Sequence, residues 1–142
     1  MSIDLGGLNW LAVIIGALVY FLLGAVWFAQ QSPLGRAWIA ASGYTSPTEG
    51  MSASNAFYVF PAVTCLVAVI ALALLAKATG TDTVSEAVVL GLVVGIGVAG
   101  AVIFGVAAFE FSKPSRWTWG LIDAAYHVVG LTVAAVILVL MG

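Results

Sequence analysis

Charge is what this sequence has least of. Of 142 residues only 7% are charged, four of them Lys or Arg and six Asp or Glu. A soluble domain carries about 25%, so a surface facing water cannot be assembled from this chain. The net charge of −2, with no basic tract, leaves nothing to attract nucleic acid. The one cysteine, Cys65, excludes an intramolecular disulfide and lies in an apolar run as a small packing residue. A single histidine and a single cysteine give little material for nucleophile-and-base chemistry. No Gly-x-Ser-x-Gly, His-Glu-x-x-His or phosphate loop occurs, and the polar connectors are too short for a catalytic domain. Neither an enzyme nor a cofactor or metal is expected.

What the sequence does have is apolar length, since 63% of it is hydrophobic. A helix needs roughly 20 apolar residues to cross ~30 Å of hydrocarbon, and four segments qualify: 8–29, 55–76, 84–109 and 118–141. Backbone groups in lipid must pair within the chain, so each span should be helical. The runs are continuous and do not alternate, which argues against a barrel. The first run is uncharged for 25 residues from Leu5 to Ala29 and is preceded by Asp4 with no Lys or Arg. That pattern suits a retained span and not a cleaved leader. The expected fold is all-α, a single four-transmembrane-helix bundle over residues 1–142.

The connectors carry helix punctuation. Thr83-Val84-Ser85-Glu86 has capping-box spacing at the start of the third span, and Ser46-Pro47-Thr48-Glu49 repeats it before the second, ahead of Gly50. Pro61 lies inside the second span and predicts a kink. Pro114 marks the turn into the fourth. After the first span, Ser32-Pro33 opens and Gly43 closes a short segment. Leu34, Ala37, Trp38 and Ala41 recur there at helical spacing, with Arg36 on the opposite side. This predicts a short interfacial helix lying in the headgroup zone.

Connectors 30–54 and 110–117 share one side and hold Arg36, Lys113 and Arg116, against Lys77 alone on the other. The positive-inside rule then puts those two loops in the cytoplasm and both termini outside, in a multi-pass protein of the cell inner (plasma) membrane. Trp27, Phe28, Trp38, Trp117 and Trp119 would form an aromatic belt at the cytoplasmic level. Trp10 would serve the opposite interface.

Ionisable groups inside spans cost roughly 2.5–3.5 kcal/mol at a helix centre, so they face inward and mark candidate sites. Asp123 and His127 are four apart in the fourth span and share a helix face. Glu110 ends the third span at the same level. Tyr58 and Asn55 begin the second there, and Gln30 ends the first. A pocket near the cytoplasmic leaflet gathering Asp123, His127, Glu110 and Tyr58, with Arg116 or Arg36, would suit proton relay, cation coordination or a small polar ligand. The structural alternative is Asp123 near a helix N-terminus, paired with Arg116 or Arg36, and His127 bonded across helices. Asn9 belongs to the other leaflet.

Glycine makes the second pattern. Gly91 and Gly95 are four apart, as are Gly97, Ala101 and Gly105, and Gly16, Tyr20 and Gly24 follow one face of the first span. Small residues at this spacing let helices approach closely, within the monomer or in a homodimer.

The stretches Gly24-Ala25-Val26-Trp27-Phe28, Pro33-Leu34-Gly35-Arg36-Ala37-Trp38 and Trp119-Gly120-Leu121-Ile122-Asp123-Ala124-Ala125-Tyr126-His127, with Asn9 and the four-span layout, resemble a family of domains of unknown function numbered 1761. Its members are small bacterial integral membrane proteins. The resemblance spans essentially the whole chain and implies the four-helix fold, with no substrate or mechanism. Ala125 stands where that pattern leads one to expect glycine. Two functional readings follow. One is a small transport or ligand- or proton-binding protein with its polar pocket near the cytoplasmic leaflet. The other is a structural or accessory subunit packed against a larger membrane complex. Partners are then the lipid bilayer and either a second copy or another membrane protein.

Overall fold

A computed structural model describes residues 3–45 and 56–142, with side chains from Tyr58 in the second stretch. The described residues are helical, with no strand. They form α1 (Trp10–Trp27), α2 (Pro33–Ser42), α3 (Ala56–Thr79), α4 (Val84–Val94), a π-helical segment (Gly95–Gly100), α5 (Ala101–Ala107) and α6 (Arg116–Met141). The π segment joins α4 to α5 in one continuous span. Four helices are thus long and apolar enough to cross a membrane, with 18, 22, 24 and 26 residues. At ~1.5 Å per residue the shortest spans about 27 Å and the longest about 39 Å, which matches a ~30 Å core.

Local chemistry sets the ends. Asn9 caps α1, its side chain accepting from Ala12 N–H at 3.1 Å. Ser32 caps α2, accepting from Gly35 N–H at 2.8 Å, with Pro33 at the first helical position. Gly43 ends α2 in the left-handed region at φ 80°, which a side chain would strain. The capping box at Thr83 and Glu86 is formed in both directions. The Ser46–Glu49 lead-in and Asn55 lie outside the described residues. The described α3 runs as one helix through Pro61, whose carbonyl takes a hydrogen bond from Thr64 Oγ1.

Helix α6 is the hub and packs against every other helix, while α1 packs on α3 and α4 barely meets α3. The core consists of Ala12, Val13, Tyr20, Val69, Leu72 and Ala134 with their neighbours, all nearly inaccessible. Outward faces are as apolar as the core. Leu11, Ile14, Leu18 and Leu22 form a stripe along α1 that is 50–62% exposed. Such a surface requires lipid as its solvent.

One end of the bundle collects the termini. Asp4 pairs with Lys77 at 2.8 Å, and Asn9 Nδ2 donates to the Met141 carbonyl at 2.7 Å. This pair holds the Asp4 carboxyl below its usual range, through the Lys77 hydrogen bond and charge. The other end holds α2, whose Ala41 carbonyl accepts from Ser115 N–H at 3.2 Å. The buried stripe of α2 is Gly35, Ile39, Ala41 and Ser42, while Leu34 and Ala37 turn outward. The side packed on the bundle therefore centres on Gly35 and Ile39, and Leu34 and Ala37 stay on the outer side. The reason is Gly35, whose missing side chain lets α2 seat against the Ala29 carbonyl.

Candidate functional site

The bundle interior toward the α2 end is built by two reciprocal notches between α1 and α6. Gly24 leaves room for Tyr126: a Cβ there would lie 2.8 Å from the tyrosine hydroxyl. Gly130 does the same for Tyr20, whose ring fills the missing side chain's place. Each helix thus supplies a tyrosine and the glycine that houses its partner's. The rings lie 5.2 Å apart and both are almost fully buried.

Their hydroxyls are satisfied inside the protein, as burial demands. Tyr126 O–H donates to the Tyr20 carbonyl at 3.0 Å and lies 3.7 Å from Cys65 Sγ. The Tyr20 hydroxyl is hydrogen-bonded to Nδ1 of His127 and donates when that nitrogen is unprotonated. His127 therefore bonds across helices to α1. Around this centre Phe28 meets Tyr126 at 5.2 Å and Trp38 at 5.2 Å. Trp27 donates its indole N–H to the Ile122 carbonyl at 3.1 Å. Trp27 and Phe28 thus pack into the bundle and are not a surface belt. The indole N–H of Trp38 is buried without a hydrogen-bond partner among the described residues.

Asp123 stands one turn before His127, half-buried, and makes neither a hydrogen bond nor an ion pair among the described residues. Electrostatically it faces Tyr20 and Tyr126, and the cation that reaches it is Lys113. Lys113 is itself largely enclosed, with a side chain 12% exposed. Its Nζ lies 3.7 Å from Glu110, 4.6 Å from the Trp119 ring and 5.7 Å from the Tyr44 ring. Polar groups thus follow one another along this end of the bundle as a polar column: Glu110 and Lys113 pair at its end, Asp123 lies on the first turns of α6, and His127, bonded to Tyr20, stands one turn further.

Asp123 and His127 lie one turn apart on α6, and Glu110 pairs with Lys113 at the bundle end. Tyr58 is 61% exposed at the start of α3, where residues 58–64 are all exposed. Arg116 is also elsewhere: its guanidinium sits over Phe111 at 4.7 Å and Trp117 at 5.2 Å. Arg36 donates to the Gln31 carbonyl at 2.8 Å. Neither arginine pairs with Asp123, so the expected compensation by Arg116 or Arg36 does not form. Tyr20, Tyr126 and Lys113 were not singled out as site residues. The Gly16–Tyr20–Gly24 face held the signal for the first, since a tyrosine between two glycines marks a close helix crossing. Among the described residues no group of three His, Cys, Asp or Glu could hold a metal.

The glycines divide between two roles. A Cβ on Gly95 would come within 2.8 Å of the Val128 Cα, and one on Gly16 within 3.3 Å of a Val69 methyl. Gly91 likewise abuts the Thr132 backbone. Gly16, Gly24, Gly91 and Gly95 all serve packing within the monomer. Gly97 and Gly105 have nothing within 4 Å, so the Gly97–Ala101–Gly105 line is not used there.

Compared with known families, residues 11–139 match the model of one described as a protein of unknown function (DUF1761). No curated protein and no solved structure matches.

Proposed function

The chain belongs to the DUF1761 family of proteins of unknown function, and we propose that it works as a small transport or ligand- or proton-binding membrane protein centred on Asp123. The observation that carries this reading is a carboxyl group within a membrane-spanning helix that has no hydrogen bond and no ion pair among the described residues. An ionised Asp at the centre of a span costs roughly 2.5–3.5 kcal/mol on insertion scales, and less toward the helix end, where Asp123 sits. A proton or small cation arriving at Asp123 offsets that cost. His127 and Tyr20 continue the polar column into the bundle, where a hydrogen bond can pass a proton between ring nitrogen and hydroxyl. Glu110, with Lys113, marks the end open to water, which the charge distribution assigns to the cytoplasm.

The test uses purified protein in liposomes with a trapped pH-sensitive dye, together with infrared titration of the carboxyl band. The wild type should show one intramembrane carboxyl that takes up a proton, and proton or solute flux that depends on it. Asp123→Asn should remove both while the protein still folds. If Asp123→Asn leaves the titrating band and the flux unchanged, the site reading is wrong. If it only prevents folding, Asp123 is a structural element and an accessory role gains.

A further inference from the structure

The seam between the third span and α6 carries features that the polar column does not use. On the outer side of α5, the π segment and α6 runs an apolar groove of about 470 Å³. Ile96, Gly100 and Phe104 line one wall and Leu121, Ala125 and Val129 the other. Its cause is local. The π turn widens the third span, with Ala101 N–H donating to Ile96 C=O five residues back, and the small residues beside it leave a trough instead of a ridge.

The groove ends in a cation. At its α2 end Phe104 stacks on Trp117 with ring centroids 6.4 Å apart and planes at 20°. The Arg116 guanidinium covers Trp117, and among the described residues it makes no ion pair and no hydrogen bond. The nearest carboxylate in sequence, Glu110, is engaged by Lys113. Arg116 also opens α6, and the preceding Ser115 gives its hydroxyl proton to Thr118 instead of capping the helix. The positive helix end and the guanidinium therefore act in the same place. Phe111 and Trp117, 75% and 51% exposed, flank it as interfacial aromatics do.

The lengths agree as well. From Trp117 to Val129, α6 rises ~18 Å, close to the ~15 Å of one leaflet's hydrocarbon. We propose that this seam is a binding site for one anionic phospholipid of the Arg116-side leaflet, with an acyl chain in the groove and the headgroup phosphate at Arg116. Charge complementarity selects the lipid class: an unpaired arginine at the interface attracts an anionic headgroup, and the apolar trough accepts only a chain. The site is separate from Asp123 and stands whether or not that residue binds a proton.

The experiment embeds the whole chain in nanodiscs of equimolar phosphatidylglycerol and phosphatidylcholine and counts retained lipids by native mass spectrometry. The wild type should retain phosphatidylglycerol about fivefold over phosphatidylcholine. Arg116→Gln should bring the ratio to about one, and Arg116→Lys should keep most of the preference. Ala125→Leu, which fills the trough, should lower retention of both lipids. Equal retention by the wild type, or an unchanged ratio in Arg116→Gln, overturns the proposal. Displacement of the lipid by inorganic phosphate alone would reduce the site to a headgroup contact and overturn the groove's part. If Ala125→Leu does not fold, the two arginine variants decide alone.

Discussion

Tyr126 places a polar atom deep in a bundle that has almost no water to offer it. Its hydroxyl fits because Gly24 is notched to receive it and because the Tyr20 carbonyl accepts its proton at 3.0 Å. Tyr126→Phe keeps the ring and loses that bond, so it should destabilise the protein by about 0.5–1.5 kcal/mol in mixed-micelle unfolding. At the other end, the exposed Asp4–Lys77 pair makes a titration prediction. The folded-state value of Asp4 lies below its ordinary 3.8. The pair's contribution is therefore present above that value and is lost as pH falls through the lowered one. An NMR titration of the Asp4 carboxyl should give a midpoint under 3.8, and Lys77→Met should return it toward the ordinary value.

Among elements, the third span is the most informative. Gly95 touches the α6 backbone, whereas Gly105 meets nothing within 4 Å. Gly95→Ala should force the π segment from α6 and cost about 1–3 kcal/mol. Gly105→Ala should be neutral or stabilise by up to ~1 kcal/mol through helix propensity. The same unfolding assay compares them, and equal effects would refute this division of the glycines. The four spans and the ends of α2 and α4 could be read from sequence because each rests on a local signal: apolar length, a capping Ser32 or Thr83, a closing Gly43, whereas the Asn9 cap came only with the structure. The π segment could not be, although Gly95-Ile96-Gly97-Val98-Ala99-Gly100 is a weak helix former, since a widened turn depends on what α6 presents to it. The seat of Gly35 on the Ala29 carbonyl was hidden for a related reason, because a glycine leaves no trace in a hydrophobic pattern.

For the molecule as a whole, helical architecture and membrane-spanning length follow from composition, and four helices among the described residues have that length. The polar column was legible only in part. Asp123 and His127 could be paired by their spacing, and Glu110 placed by antiparallel neighbours. Partner choice could not, because Tyr20 reaches His127 across 107 residues and Lys113 is enclosed by rings from separate segments. Orientation belongs to this scale too. An alkaline phosphatase reporter fused after Gly142 in a bacterial host should be active, and a cytoplasmic fluorescent reporter fused there should be dark, if the termini lie outside.

The proposed function requires that water reach Asp123 from the Glu110 side of the bundle. The most direct measurement places a single cysteine there, Asp123→Cys with Cys65→Ser, in sealed vesicles. A water-soluble, membrane-impermeant maleimide should modify it from the Glu110 side and not from the side of the termini. Modification only by a lipid-soluble maleimide would mean that this position faces acyl chains, and the account would be contradicted.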